Sequence, residues 1–160
     1  MAAPKDVAGK HVTGIVYVIN GPNLNLLGVR EPELYGQTGL AEIRSRCEAA
    51  AARASLGCRF LQSNHEGQLV DWIQEAREQA IGIVINPAGY SFTSIAILDA
   101  LKASELPIIE IHITNIHRRD ELYRRSLVSL AATGVICGLG PTGYELAISA
   151  MAQVAAKRVG

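Results

Sequence analysis

Residues 14–20 read GIVYVIN, a nearly continuous run of apolar and β-branched residues that ends on an asparagine. Such runs are typical of strands that are buried on both faces, as in a parallel sheet covered by helices. Similar runs recur at fairly even intervals along the chain. The sequence therefore predicts five strands, at residues 14–20, 58–63, 81–86, 107–113 and 134–137.

Helical patterns separate these runs. Leu40, Ile43 and Cys47 keep the spacing of one helix face, and Gly57 follows as a stop signal. The alternation predicts an α/β fold: a doubly wound, five-stranded parallel sheet with flavodoxin-like strand order between two helical layers. Ligands bind such sheets at the carboxyl ends of the strands. The predicted helices span residues 40–54, 66–79, 93–103 and 145–158.

The composition is that of an ordinary globular domain. The chain has 160 residues, 49% apolar and 19% charged, with 15 basic and 15 acidic side chains. This balance gives no electrostatic reason to expect nucleic acid or a membrane surface as a partner, and no apolar run approaches the roughly 20 residues of a membrane span. We expect a flexible tail at residues 1–12, which lacks the apolar core of a signal peptide, and a single domain at residues 13–160. The three cysteines form no CxxC pair, which favours reduced thiols and a cytoplasmic protein.

The connection after the first strand is unusually long. Residues 20–36 read NGPNLNLLGVREPELYG, whereas connections of this kind usually have 2–6 residues. Long ordered loops are often lids or binding loops, and this one brings Arg30, Tyr35 and several amides to the sheet edge. The alternative is a solvated loop in which asparagine and glycine only serve turns.

Two further loops carry polar groups. Residues 86–94 read NPAGYSFTS, and the N–H groups and hydroxyls at the start of the next helix would suit an anion or a hydroxylated ligand. Thr93 or Ser94 could equally be a helix N-cap. In the fourth strand, Glu110 and His112 are two residues apart and so point to the same face. A carboxylate beside an imidazole stabilises the imidazolium and fixes its tautomer, which suits a proton donor, although lone strand-end histidines are more often structural.

Neither a metal nor a cofactor site is predicted. Residues 138–143, GLGPTG, have GxGxxG spacing, but they follow the last predicted strand and lack the acidic residue expected about 20 positions later. We interpret them as a tight turn at the rim of the crevice. His112 and His117 do not have the spacing of a zinc site.

Five blocks in order resemble one known family. The motifs INGPNLNLLGxREPxxYG, SNHEGxLVDWI, NPxxYxxTS, EIHITNIHxRxxxxxxS and GVIxGLGxxGY, which cover roughly residues 15–150, are similar to those of type II 3-dehydroquinate dehydratases. The resemblance implies a lyase of the shikimate or quinate pathway that needs no cofactor. It would eliminate water from the small carboxylate 3-dehydroquinate through an enolate, in a dodecamer built from trimers.

The resemblance also implies catalytic roles. Tyr35 would be the base that removes the proton beside the ketone. A neutral phenol is a weak base, so Arg30 would favour the phenolate. Asn23 would hold a water against the developing enolate oxygen. His112, oriented by Glu110, would protonate the departing hydroxyl.

Substrate-binding roles follow in the same way. Asn86, Ile113 and Thr114 match the groups that hold the substrate carboxylate. Asp99 matches a contact donated by a neighbouring subunit of the trimer, and Arg119 matches a second arginine beside the lid.

Two positions depart from the family pattern. Phe92 stands where the family has a histidine, and Tyr123 where it has an arginine; both family residues contact the substrate ring hydroxyls. Either Arg124 compensates, or the substrate is a related, less hydroxylated cyclic hydroxy-keto acid. A non-catalytic paralogue that binds a carboxylate is disfavoured because both base and acid are retained. A nucleotide-binding module is disfavoured because the glycine motif fails.

Overall fold

The strands and helices alternate along the chain, except that the fourth and fifth strands are joined by 3₁₀ turns and no α-helix. A computed structural model describes residues 13–29 and 31–159. The strands are β1 (Ile15–Asn20), β2 (Gly57–Gln62), β3 (Gly82–Asn86), β4 (Ile108–His112) and β5 (Gly134–Cys137), and the helices are α1 (Pro32–Tyr35), α2 (Leu40–Arg53), α3 (Glu66–Gln79), α4 (Ile95–Ser104) and α5 (Thr142–Val159).

The five strands form one parallel sheet in the order β2-β1-β3-β4-β5. This is the flavodoxin-like order, so the predicted fold class is confirmed. Asn20, at the end of β1, is in register with Gln62 on β2 and Asn86 on β3. Because these strands end at one level, the loops that follow them leave the sheet side by side.

The core lies on both faces of the sheet. Val16 and Val18 of β1 pack with α2 and α5 on one face, whereas Tyr17 and Ile19 pack with α3 and α4 on the other. All four side chains are fully buried. Successive side chains of β1 point to opposite faces of the sheet, as in any strand. Because both faces are buried, the sequence of β1 is apolar at nearly every position.

Some predicted boundaries are wrong by a few residues. Helix α4 begins at Ile95, because the Ser94 hydroxyl accepts a hydrogen bond from the N–H of Ile97 at 3.0 Å and caps the helix. The N-cap interpretation is therefore correct for Ser94 and wrong for Thr93. Helix α5 begins at Thr142, earlier than predicted. The long loop after β1 contains a 3₁₀ turn and helix α1, neither of which the sequence pattern predicts.

No helix within the described part of the chain is both long and apolar enough to cross a lipid bilayer. All three cysteines are free thiols, with Cys47 buried and Cys58 and Cys137 half-buried. Burial raises the pKa of the Cys58 thiol to about 12, as expected for an unreactive core cysteine. The expected tail at residues 1–12 lies outside the described residues.

Candidate functional site

A cavity of about 240 Å³ opens at the carboxyl end of the sheet, between the loops that follow β1, β3 and β4. This is the position expected for a ligand site in a doubly wound fold. Its walls combine amide, imidazole, phenol and guanidinium groups with apolar side chains. The lining residues are Pro22, Asn23, Leu24, Leu26, Leu27, Tyr35, Asn86, Ala88, Gly89, Phe92, His112, Ile113, Thr114, Ile116, Arg119 and Tyr123.

A buried carboxylate–imidazole pair forms the β4 side of the cavity. Glu110 is fully buried and His112 nearly so, and His112 Nε2 lies 2.6 Å from Glu110 Oε1. Their side chains share a face because they are two residues apart on one strand, as predicted. Since Glu110 occupies Nε2, a proton delivered from this ring into the cavity has to come from Nδ1.

Hydroxyl groups behind the pair keep Glu110 ionised. Ser129 Oγ donates to Glu110 Oε2 at 2.5 Å, and Ser126 lies near the same carboxyl group. Burial alone would raise the pKa of Glu110, but the hydrogen bonds with His112 and Ser129 leave it below its ordinary value. A buried anion is thereby held against the imidazole. Neither serine is among the residues predicted from the sequence; Ser126 closes one of the quoted motifs, whereas Ser129 lies outside it.

A tyrosine of α5, in the helical layer that also contains α2, holds the side chains at the floor of the cavity. Tyr144 of α5 is fully buried, and its hydroxyl donates to Asn20 Oδ1 at 2.7 Å and accepts from Asn86 Nδ2 at 2.9 Å. Asn86 Oδ1 accepts from the N–H of Ala88 at 3.2 Å, and Asn20 Nδ2 donates to the Leu61 carbonyl at 3.0 Å. Both amides therefore have assigned orientations, and Asn86 retains one N–H that is free to face a ligand. The sequence signals for this network were the polar ends of β1 and β3 and the position of Tyr144 at the end of the last quoted motif.

Asn64 connects the loops around the cavity mouth. Its Oδ1 accepts from the backbone N–H of Asn23 at 3.0 Å and from Gln62 Nε2 at 3.2 Å, and its carbonyl accepts from the Tyr90 hydroxyl at 2.7 Å. Asn23 has a φ of 66°, a left-handed conformation that asparagine tolerates. Loops after three different strands thus hold Asn23 at the cavity wall.

Tyr35 is the last residue of the short helix α1. Pro32 lies in the first turn, where its missing N–H costs nothing, and Gly36, with a φ of 80°, ends the helix in a conformation that glycine adopts readily. The Tyr35 side chain is half-buried and lines the cavity. Arg30 lies outside the described residues, so its contact with Tyr35 stays a prediction.

The two departures from the family pattern contact each other. The Phe92 ring lies nearly parallel to His112, with centroids 6.4 Å apart, and meets Tyr123 edge to face at 5.5 Å. The Arg119 guanidinium lies 4.0 Å from the centroid of the Tyr123 ring. Arg124 is exposed, its Nε donates to the Arg119 carbonyl at 2.6 Å, and it does not line the cavity. This geometry gives no support to Arg124 as the replacement for the family arginine.

Most of the predicted site residues meet in this cavity. Glu110 lies directly behind His112, whereas Asp99 is exposed on α4 and does not line the cavity of its own subunit. No group of three His, Cys, Asp or Glu side chains suited to a metal ion occurs within residues 13–29 and 31–159. The predicted residues that do line the cavity are Tyr35, His112, Asn23, Asn86, Ile113, Thr114, Arg119, Phe92 and Tyr123.

The chain matches one family over most of its length. A family model described as Dehydroquinase class II matches residues 14–152. The 3-dehydroquinate dehydratase of Phenylobacterium zucineum is 57% identical over 140 residues, which cover 88% of this chain and 97% of that protein. The 3-dehydroquinate dehydratase 1 of Agrobacterium fabrum is 52% identical over 145 residues, covering 91% of this chain and 100% of that protein. The crystal structure of the type II dehydroquinase from Propionibacterium acnes superposes with a TM-score of 0.86 at 41% identity, covering 90% of this chain and 99% of that one.

Proposed function

The chain belongs to the class II dehydroquinase family, and on that basis we propose that it is a hydro-lyase that converts 3-dehydroquinate into 3-dehydroshikimate. Relatives that are 52–57% identical carry the name of this activity. They favour dehydroquinate over the less hydroxylated substrate and over a non-catalytic role. The shikimate pathway is the setting that fits such an enzyme.

One observation supports the mechanism: a phenol and an imidazole that is hydrogen-bonded to a buried carboxylate line the same cavity from different elements. Tyr35 approaches from α1, and His112 from β4 with Glu110 behind it. Ligand binding alone would not require this pair. An elimination needs one group to take a proton and another to give one, and these side chains provide both.

The reaction proceeds in two steps. The Tyr35 phenolate takes the proton beside the ketone, and the electron pair of that C–H bond forms an enolate. Asn23 holds a water that hydrogen-bonds to the enolate oxygen. The enolate then forms the carbon–carbon double bond and expels the hydroxyl group, which leaves as water with the proton from His112. Transfer of the proton from Tyr35 back to His112 through solvent restores the enzyme.

Arg30 is the cation that makes Tyr35 a base. A phenolate is stabilised by a neighbouring guanidinium, and this effect is strong only when water is excluded. Arg30 and Tyr35 belong to one loop, so closure of that loop over the substrate would bring the cation, the base and the dry environment together.

The substrate carboxylate binds at the end of β4. Ile113 and Thr114 line the cavity immediately after His112, and Asn86 presents its remaining N–H from the adjacent strand β3. Arg119 adds a positive charge at the rim. These groups would orient the substrate so that its reacting carbons lie between Tyr35 and His112.

The active assembly is a trimer, with a dodecamer as the full particle. Ile95 is 64% exposed on the outer face of α4, and Ala96 and Asp99 are exposed beside it. This helix begins close to the cavity, so a neighbouring subunit packed on it would receive Asp99 as a substrate contact. Light scattering tests this assembly by measuring the mass of the protein in solution. The proposed location of the protein is the cytoplasm.

Ultraviolet spectroscopy tests the proposed reaction, because the product is a conjugated enone that absorbs where the substrate does not. Purified protein should generate this absorbance from 3-dehydroquinate. Tyr35→Phe should abolish turnover and leave folding and assembly unchanged, since only the base is lost. Tyr17→Phe is the matched control, because Tyr17 lies on the other side of β1 and bonds to Glu75 instead of the cavity. If Tyr35→Phe retains a tenth or more of the wild-type rate, Tyr35 is not the base.

A further inference from the structure

Two aromatic rings connect the rim arginine of the cavity to the acid. We call Tyr123 and Phe92 the aromatic column: Arg119 lies over the face of Tyr123, Tyr123 and Phe92 meet edge to face, and Phe92 lies nearly parallel to His112. All of these side chains line the cavity, and the two rings and the arginine are half-buried. The column therefore forms one continuous wall of the substrate site.

The contact between Arg119 and Tyr123 is close. The guanidinium carbon lies 4.0 Å from the ring centroid, well inside the distance of about 6 Å at which a cation is attracted to an aromatic face. An arginine side chain has four rotatable bonds, and without a support it would sample many positions at the cavity rim. A planar ring beneath the planar guanidinium removes much of that freedom before substrate arrives.

The main chain of this segment is held independently of the ring. The N–H of Arg119 donates to the Ile116 carbonyl at 3.2 Å, and Arg124 Nε donates to the Arg119 carbonyl at 2.6 Å. These bonds hold the backbone of the segment, and the guanidinium itself contacts the Tyr123 ring. Phe92 contacts the Tyr123 ring edge to face, with centroids 5.5 Å apart.

We propose that Tyr123 is a positioning residue that holds the Arg119 guanidinium towards the substrate, and that its aromatic face, not its hydroxyl group, performs this role. The inference rests on the proposed function, in which Arg119 binds an anionic substrate. It also explains why the chain departs from the family pattern at two positions together. The residues at 92 and 123 contact each other, so a phenylalanine at 92 supplies the aromatic neighbour that packs edge to face with the ring at 123.

Four variants test the proposal: Tyr123→Phe, Tyr123→Leu, Arg119→Gln and the combination of Tyr123→Leu with Arg119→Gln. Tyr123→Leu should raise KM for 3-dehydroquinate about fivefold to tenfold and change kcat much less, because it loosens binding without removing the base or the acid. Tyr123→Phe keeps the ring face and should rescue most of that loss. In the Arg119→Gln background, Tyr123→Leu should have little further effect, since the group that it positions is already gone. Leu122→Ala, at a neighbouring residue that is 70% exposed, is the control for general disturbance of the segment.

Each outcome decides the inference. If Tyr123→Phe is as impaired as Tyr123→Leu, the hydroxyl contacts the substrate and the positioning role is wrong. Wild-type KM in Tyr123→Leu, or a full additional loss in the combined variant, would overturn it as well. Calorimetric binding of 3-dehydroquinate gives the same comparison without turnover. Wild-type protein that binds but does not react would contradict the proposed function alone, whereas an unchanged Kd in Tyr123→Leu would contradict the positioning role alone.

Discussion

Replacing Glu110 with glutamine separates the shape of the buried carboxylate from its charge. Glutamine Oε1 can still accept from His112 Nε2 across the distance of 2.6 Å, so the tautomer and ring orientation are preserved. A hydrogen bond to a charged group contributes about 1.5–3 kcal/mol, compared with about 0.5–1.5 kcal/mol between neutral groups. The substitution therefore removes about 1–1.5 kcal/mol of the stabilisation that the charged His112 ring receives. A difference of 1.36 kcal/mol corresponds to a factor of about ten in an equilibrium constant.

We therefore expect kcat of Glu110→Gln to fall about tenfold at neutral pH, because the buried negative charge that stabilises the proton-donating ring is lost. Initial rates of enone formation across the neutral pH range measure this. Ser129→Ala is the matched control: it removes the donor at 2.5 Å from Glu110 but leaves the charge, so its loss should be smaller. Equal rates for the wild type and Glu110→Gln at every pH would refute the reasoning.

The same substitution should change stability in acid. Burial raises the pKa of Glu110, but the hydrogen bonds with His112 and Ser129 lower it by more, to below its ordinary value. A carboxyl group whose pKa is lower in the folded protein stabilises the fold above the unfolded value of about 4.3, and this contribution is lost as the pH falls through the folded value. Acidification below about pH 4.3 should therefore lower the free energy of unfolding of the wild type more than that of Glu110→Gln. Urea unfolding at several pH values measures this free energy. Parallel stability curves would contradict this linkage.

Two further substitutions test the division of labour and the cavity floor. His112→Ala should suppress water elimination more than proton exchange beside the ketone, because the acid acts on the leaving group; deuterium incorporation from heavy water separates the steps, and equal loss of both would argue against these roles. Tyr144→Phe leaves two buried strand-end amides each short of a partner, at about 1–3 kcal/mol per group, so urea unfolding should reveal a loss of about 2 kcal/mol or more. Tyr17→Phe, whose hydroxyl bonds to partly exposed side chains, should lose less, and similar losses in the two variants would show that burial of the network does not matter.

Much of the fold could be predicted because its signal is local. Runs such as GIVYVIN report burial on both faces of a strand, and the resemblance of the loop motifs to type II dehydroquinases was confirmed by the family match. The pairing of Glu110 with His112 could also be predicted, because a period of two along a strand is visible in the sequence. The strand pattern and the Glu110–His112 pairing need only the residues of one element and their spacing, whereas the resemblance needs five blocks in order.

The missed features depend on contacts between distant parts of the chain. Tyr144 closes the last of the quoted motifs, but its bond to Asn20 becomes visible only when α5 is docked against the ends of β1 and β3. Ser129 lies on an irregular segment with no periodicity, so nothing in its surroundings indicated a bond to Glu110. The support that Tyr123 gives to Arg119 likewise depends on the turn between them, and the sequence alone marks Tyr123 only as a departure from a pattern.

The hydrogen bond from Tyr144 to Asn20 joins residues that are 124 positions apart, and this has a consequence for biosynthesis. A ribosome releases β1 long before α5, and domains of this kind complete their distant pairings late. Until the final helix of the described residues docks, Asn86 lacks the partner that fixes its amide, and the floor that supports the substrate is open. A nascent chain that has not yet docked α5 therefore lacks the hydrogen bonds that hold the floor of the site.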